Sequence, residues 1–202
     1  MKRLFDIVFS GVMLLLFSPL FLLIALAVIV DSRGGIFFGQ IRVGKNDVPF
    51  RMWKFRTMRP QSEQSGQLTV GSSDRRITRV GYFLRKLKVD ELPQLWNVFK
   101  GDMSVVGPRP EVPRYVALYT AEQRRVLSIR PGITDYASLK YFSESDLLAT
   151  SANPEQTYIN EIMPAKLKLN LEYVSNSSLL EDVRIIVLTG LRVLGVGKDS
   201  SK

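Results

Sequence analysis

The sequence contains no cysteine and no histidine among its 202 residues. Without cysteine the chain forms no disulfide and no thiolate metal site. Without histidine it has neither an imidazole general base nor a histidine-bound zinc ion. Any acid–base or metal chemistry must therefore use carboxylates, and these hard oxygen ligands suit Mg²⁺.

The sequence also lacks the Gly-x-Gly-x-x-Gly motif and the Walker loop, so neither a dinucleotide-binding fold nor a nucleoside triphosphatase is indicated. Acidic residues are in the minority, with 19 Asp and Glu against 28 Lys and Arg, which gives a net charge of +9. This charge favours anionic partners, namely nucleic acid, acidic lipid or a phosphorylated substrate. The length predicts one domain with short appendages.

Residues 7–30 form an uncharged apolar run. As one helix they would extend about 36 Å, which is enough to cross a bilayer. Ser18 and Pro19 interrupt the run near its middle: the proline frees a backbone carbonyl, and the serine hydroxyl can donate to it. Two anchors fit this pattern, a single span or a kinked helix that enters and leaves by the same membrane face. Asp6 is expected at the membrane interface.

Residues 36–38 and 50–58 have the pattern of a β-hairpin whose turn lies at residues 44–47. In the second strand Lys54 and Arg56 share parity, so both side chains are predicted on one face. Two interpretations are open: a half-buried strand with a solvated basic face, or a surface for single-stranded nucleic acid. The second is the weaker, because no RNA-binding motif accompanies it.

The stretch at residues 85–110 organises the rest of the chain. Apolar residues at positions 92, 95, 96 and 99 have helical spacing, and Gly101 is placed to end the helix. Pro93 is tolerated only in the first turn, so the helix is expected to begin at residues 90–92.

Two adjacent carboxylates, Asp90 and Glu91, lie at this predicted helix start and have Arg85 nearby. Acidic residues at a helix start can be simple caps. A carboxylate beside several cations also stays ionised at neutral pH, and an ionised aspartate near phosphate is a competent nucleophile. The pair is therefore a candidate catalytic site.

Two arginines lie in rigid proline-containing segments. Arg109 stands between Pro108 and Pro110, and Arg130 precedes Pro-Gly, a sequence that predicts a type II turn. Arg109 is either a solvated arginine or a preorganised guanidinium for bidentate phosphate binding, and Arg130 is expected at a rigid corner of the chain.

Residues 90–110, DELPQLWNVFKGDMSVVGPRP, resemble the signature of the bacterial sugar transferases, the small monotopic polyprenyl-phosphate phosphoglycosyl transferases. The resemblance extends to Ser18-Pro19, to KFRTM at residues 54–58 and to RPGIT at residues 130–134. It implies an α+β fold, mostly α, with a re-entrant N-terminal membrane helix kinked at Ser-Pro, a small β-hairpin, catalytic helices and amphipathic surface helices. The implied division is residues 1–33 as the membrane helix, 34–197 as a cytoplasmic catalytic domain and 198–202 as a tail.

The resemblance also implies an activity: transfer of a sugar 1-phosphate from a UDP-sugar to undecaprenyl phosphate, with release of UMP, through a covalent aspartyl sugar-phosphate. It implies that Asp90 and Glu91 are catalytic and hold Mg²⁺. It gives phosphate-binding roles to five basic residues, Lys54, Arg56, Arg85, Arg109 and Arg130. The implied partners are the UDP-sugar, the polyprenyl phosphate, the bilayer and downstream glycosyltransferases, without nucleic acid, at the cytoplasmic face of the bacterial inner membrane. The alternative is a noncatalytic basic membrane protein that binds lipid or nucleic acid.

The remaining segments predict a loop and surface helices. Residues 61–74 are polar and read as a loop, either a plain connection or a cover for the substrate. Helices are expected to start at Pro154 and Pro164. A last helix is expected from Leu179, capped by Asn176 or Ser177, with an apolar stripe that either lies on a membrane or packs on the core.

Overall fold

The computed structural model describes residues 1–60, 70–71 and 74–195. In these ranges the α-helices are α1 (Lys2–Leu16), α2 (Ser18–Asp31), α3 (Arg79–Lys86), α4 (Gln94–Lys100), α5 (Pro113–Val116), α6 (Tyr136–Lys140), α7 (Glu144–Ala149), α8 (Pro154–Thr157), α9 (Met163–Asn176) and α10 (Leu179–Val193). The strands are β1 (Phe37–Val43), β2 (Pro49–Phe55), β3 (Ser104–Val106) and β4 (Gly132–Thr134). The predicted class, α+β and mostly α, is confirmed. Most of the predicted loop at 61–74 and all of the predicted tail at 198–202 lie outside the described residues.

The apolar N-terminal run forms two helices instead of one. α1 and α2 meet at Phe17 with a bend of 61°, and Pro19 occupies the first turn of α2. Ser18 donates its hydroxyl to the carbonyl oxygen of Leu15 at 2.8 Å, as predicted for the kink. No single helix in the described ranges has the length and apolar composition of a membrane span, whereas the bent pair meets that test jointly.

Asp6 does not lie at an interface, contrary to the prediction. It is 2% exposed, and its Oδ1 accepts hydrogen bonds from the Ser104 hydroxyl at 2.9 Å and the Val105 amide at 3.0 Å. The prediction fails because α1 packs on β3 and on α4, with the partly buried Phe5 and Phe9 against the core. The start of the apolar run is thus part of the globular structure.

The predicted hairpin is confirmed as the antiparallel pair β1–β2, in register from Phe37 opposite Phe55 to Val43 opposite Pro49. The connection contains a 3-10 turn over Lys45–Asp47. β2 ends at Phe55, so Arg56 lies beyond the strand and the parity that relates it to Lys54 no longer determines its direction.

A second strand pair was not predicted. β3 and β4 run parallel, with Ser104 opposite Gly132 and Val106 opposite Thr134. The predicted type II turn at residues 130–132 is wrong, because Gly132 begins β4 and is not among the residues with positive φ. Glycine is required at position 132 for another reason, because the backbone of Gly107 approaches it closely. A Cβ on Gly132 would lie 2.1 Å from the nitrogen of Gly107.

The helix after the carboxylate pair starts later than predicted. Residues Val89–Glu91 form a 3-10 turn, and α4 begins only at Gln94 with Pro93 as its N-cap. Gly101, at φ 107°, ends α4 as predicted.

The C-terminal helices cover the core from one side. α9 carries its predicted proline in the first turn, and α10 begins at Leu179 but is capped by Ser178, not by Asn176 or Ser177. α10 has a buried side and an exposed side: Ile185 is fully buried in the core, while Leu180 is 82% exposed. Both predicted uses of its apolar stripe are therefore compatible with its position.

Candidate active site

Three charged side chains from distant parts of the chain meet at one point. Glu91, in the 3-10 turn before α4, accepts a hydrogen bond from Lys54 of β2 at 2.7 Å on its Oε1. The same oxygen pairs with the guanidinium of Arg109, which follows β3. Arg109 also donates to the carbonyl oxygen of Ile133 at 3.3 Å. The hairpin, the carboxylate turn and the proline-flanked loop are thus held together.

The two carboxylates have opposite electrostatic environments. Burial alone would raise the pKa of Glu91, but the charges and hydrogen bonds of Arg109 and Lys54 outweigh it and hold that pKa well below its usual range. The Glu91 charge in turn raises the pKa of Arg109, against the effect of burial. Glu91 is therefore a poor general base near neutral pH and is better suited to fixing the two cations.

Asp90 is the more poorly compensated carboxylate. It is 5% exposed, and burial raises its pKa, an effect that the positive charges of Lys54, Arg85 and Lys88 oppose. Neighbouring cations thus lower the pKa of Glu91, as predicted, whereas burial raises the pKa of Asp90 despite the cations around it. Within the described ranges its side chain makes no hydrogen bond or ion pair. Lys88, two residues earlier, has a left-handed backbone with φ 57°, a strained conformation of the kind found at functional sites.

The charged cluster opens into a cavity of about 510 Å³. Its cationic lining residues are Arg42, Lys54, Arg85, Lys88, Arg109 and Lys166, and its anionic ones are Glu91, Glu111 and Glu144. Apolar side chains of α1, of the bend after it and of the segment that leads into α4 line another part of the wall, namely Phe9, Met13, Phe17, Leu92 and Leu95. A wall with excess positive charge beside an apolar surface suits a phosphorylated ligand that also carries a hydrophobic group.

Asp90 itself does not line the cavity, and two of the predicted phosphate-binding residues also lie outside its lining. Arg56 is 8% exposed and donates to the carbonyl oxygen of Ser32 at 2.9 Å, just beyond the end of α2. Arg130 donates to the carbonyl oxygen of Gly101 at 2.9 Å, at the end of α4. Both side chains bind helix-end backbone in this structure, so Lys54, Arg85 and Arg109 are the predicted cations that the fold brings to the site.

A second polar network in the cavity wall was missed by the sequence analysis. Glu111, directly after Pro110, accepts hydrogen bonds from Arg42 at 3.1 Å and from the Tyr158 hydroxyl. Arg42 also donates to the carbonyl oxygen of Pro110 at 3.0 Å. The network fixes the end of the Arg109 loop against β1. Its members are far apart in sequence and share no motif. The sequence could have indicated this network only through Glu111, which directly follows the proline-flanked loop.

The fit of a magnesium ion depends on few ligands. In the described part of the chain no three Asp, Glu, His or Cys residues cluster as a metal site. Mg²⁺ is commonly held by one or two carboxylates together with water and substrate phosphates, so a site with Asp90 and a diphosphate suits it. Glu91 is the poorer ligand, because its Oε1 already binds two cations.

Comparison with known proteins shows the family of the chain. The model of the bacterial sugar transferase family matches residues 1–196, and the chain belongs to that family. It is 39% identical over 193 residues to the UDP-N-acetylgalactosamine-undecaprenyl-phosphate N-acetylgalactosaminephosphotransferase of Aeromonas hydrophila, covering 93% of this chain and 42% of that protein. It is 36% identical to the UDP-glucose:undecaprenyl-phosphate glucose-1-phosphate transferase of Klebsiella pneumoniae, covering 93% and 39%.

A relative of similar length is the uncharacterized sugar transferase EpsL of Bacillus subtilis (strain 168), which is 37% identical over 96% of this chain and 87% of its own length. By contrast, this chain spans only about two fifths of the two longer transferases.

Proposed function

We propose that this chain transfers a sugar 1-phosphate from a UDP-sugar to undecaprenyl phosphate and releases UMP. The observation that carries the proposal is the site itself: the Lys54–Glu91–Arg109 cluster lines a basic cavity, and the buried Asp90 precedes Glu91 in the same 3-10 turn. The names of two relatives describe this reaction with two different sugars, which supports the reaction class.

In the first half-reaction an Asp90 carboxylate oxygen attacks the β-phosphorus of the donor. A bond forms between that oxygen and phosphorus, while the bond from phosphorus to the bridging oxygen breaks and its electron pair leaves with UMP. The product is an aspartyl sugar-phosphate. In its ionised form Asp90 attacks without a base that removes a proton, in keeping with the absence of histidine.

In the second half-reaction a phosphate oxygen of undecaprenyl phosphate attacks the same phosphorus. The bond to Asp90 breaks, its electron pair returns to the carboxylate, and the lipid diphosphosugar is formed. Phosphoryl transfer demands mainly charge stabilisation and positioning. Lys54 and Arg109, fixed by Glu91, supply both, and Arg85, which makes no ion pair in the described ranges, adds a further positive charge. Arg56 and Arg130 would have to leave their backbone partners to take part.

Mg²⁺ belongs to the proposal as a cofactor. Asp90 would hold it together with phosphate oxygens of the donor, and Glu91 would contribute at most its second oxygen. When bound, the ion would neutralise charge on the diphosphate.

The proposed location is the cytoplasmic face of the bacterial inner membrane. Large apolar side chains on α1, α4 and α10 are exposed, among them Leu15 at 78%, Trp96 at 51% and Leu180 at 82%. The 61° bend between α1 and α2 supports a re-entrant anchor, with both of its ends on one membrane face. Such an anchor brings a water-soluble donor and a lipid acceptor to one site. The lipid product would then pass to glycosyltransferases that extend it.

The test is UMP release by the full chain in detergent or lipid nanodiscs, with Mg²⁺, undecaprenyl phosphate and either UDP-glucose or UDP-N-acetylgalactosamine. The wild-type chain is expected to release UMP and form a lipid diphosphosugar, and Asp90→Asn is expected to lose this activity while remaining folded. Turnover of Asp90→Asn near the wild-type rate would contradict the role of Asp90.

A further inference from the structure

Two residues of the cavity wall each carry a buried side-chain oxygen that has no hydrogen-bond partner within the described residues. Asn170 on α9 is 4% exposed, and its Oδ1 is buried without a donor. Ser138 on α6 lines the same cavity, and its Oγ is likewise buried and unpaired. Buried polar atoms ordinarily have a partner, because leaving one unpaired costs stability. A ligand that donates O–H or N–H groups would satisfy both.

These oxygens belong to elements that hold the phosphate-binding arginine. Asp135 accepts the backbone amide of Arg109 on Oδ2 at 3.0 Å and that of Ser138 on Oδ1 at 2.5 Å. One buried carboxylate therefore ties α6 to the Arg109 loop. α9 packs on α6 and places Lys166 and Asn170, one helical turn apart, in the cavity wall. A group bound here would share the cavity with the guanidinium of Arg109.

We propose that Asn170 and Ser138 form the subsite for the sugar of the donor and accept hydrogen bonds from its hydroxyl or amide N–H groups. This inference rests on the proposed function. In a UDP-sugar the sugar is bonded directly to the β-phosphate at which transfer occurs, whereas the uracil is separated from it by the ribose and the α-phosphate. The sugar also stays in the site while UMP leaves and the lipid phosphate enters. We therefore assign the buried residues of the cavity wall to the sugar.

The decisive variant is Asn170→Leu, which replaces the unpaired amide with an apolar side chain of similar size. Removing an unsatisfied buried polar group should leave the melting temperature unchanged or raise it. With the donor that the wild type uses, UDP-glucose or UDP-N-acetylgalactosamine, kcat/KM should fall about tenfold or more, the effect of one lost hydrogen bond. The inhibition constant of UDP, which lacks the sugar, should change less than twofold.

Two further variants complete the test. Asn176→Leu makes the same substitution on an exposed position of α9 that does not line the cavity, and it should leave all three quantities unchanged. Ser138→Ala should lower kcat/KM in the same selective way by a smaller factor, and it serves if Asn170→Leu does not fold.

The outcomes separate the inference from the function on which it rests. Equal loss of UDP and UDP-sugar affinity would assign the subsite to uridine and overturn the proposal. Wild-type kinetics in both variants would show that Asn170 and Ser138 bind only water. A wild-type chain that releases no UMP from either donor would contradict the proposed function itself, and this inference would fall with it.

Discussion

Neutralising Glu91 tests whether this side chain is the fixed counter-charge of the site. Glu91→Gln keeps the shape of the side chain and one oxygen acceptor, but it leaves Lys54 and Arg109 without their shared negative charge. We therefore expect the folded state to be destabilised and the two cations to lose their fixed positions.

The size of the effect follows from the burial of the three side chains. Breaking a fully buried ion pair by removing one partner costs about 3–5 kcal/mol. Here Glu91, Lys54 and Arg109 keep 18%, 22% and 26% of their side-chain surface exposed, so solvent reduces the cost. We expect a loss of about 2–3 kcal/mol in the free energy of unfolding, or roughly 4–12 °C in melting temperature for a domain of this size.

The pH dependence gives a second signature. The cations hold the folded-state pKa of Glu91 well below the ordinary value of 4.5. Its contribution to stability is therefore complete above about pH 4.5 and is lost as the pH falls through the folded-state pKa. The difference in melting temperature between wild type and Glu91→Gln should be largest near neutral pH and should shrink under acid conditions.

The assay is thermal unfolding of the purified full chain in detergent between pH 3.5 and 8. The matched control is Asp47→Asn, which breaks the exposed pair with Arg124 at 2.9 Å and should cost less than about 1 kcal/mol. A Glu91→Gln protein as stable as wild type at pH 7, or a difference that grows towards acid pH, would refute the assigned role.

Two other predictions follow from the same geometry. Lys54→Met removes a charge that opposes the burial-induced rise in the pKa of Asp90, so the acid limb of the kcat/KM profile should move to higher pH; an unmoved limb, as expected for the control Lys45→Met, would contradict this coupling. Asp6→Ala leaves the Ser104 hydroxyl and the Val105 amide buried without an acceptor and should cost about 2–5 kcal/mol in unfolding measurements, whereas Ser104→Ala should cost about 1 kcal/mol.

Local patterns predicted those parts of the fold that local physics controls. The hairpin, the stop at Gly101 and the proline in the first turn of α9 each depend on a few neighbouring residues, and the structure contains all three. The Ser-Pro break likewise gave the position of the bend between α1 and α2.

Long-range packing accounts for what local patterns missed. β3 and β4 have three residues each, too few for a periodic signal, and they pair across more than twenty residues of sequence. Asp6 was assigned to a membrane interface because its neighbours in sequence are apolar, while its actual partners are Ser104 and Val105.

The candidate site shows the same division. Motif spacing identified Asp90, Glu91 and Arg109, and the structure adds that Glu91, and not Asp90, is the carboxylate paired with cations. Alternation along a strand placed Arg56 with Lys54, but β2 ends one residue too early for that rule to apply. Asn170 carries no motif at all, and only its burial without a partner draws attention to it.

The most direct measurement of the central claim is covalent capture of the sugar phosphate. The full chain is mixed with a UDP-sugar that carries a radiolabelled β-phosphate, without lipid acceptor, and is then denatured and separated from free nucleotide. We predict label on the wild-type protein, its release when undecaprenyl phosphate is added before denaturation, and no label on Asp90→Asn. A wild-type chain that turns over but never retains label would contradict the aspartyl intermediate and would favour direct attack by the lipid phosphate.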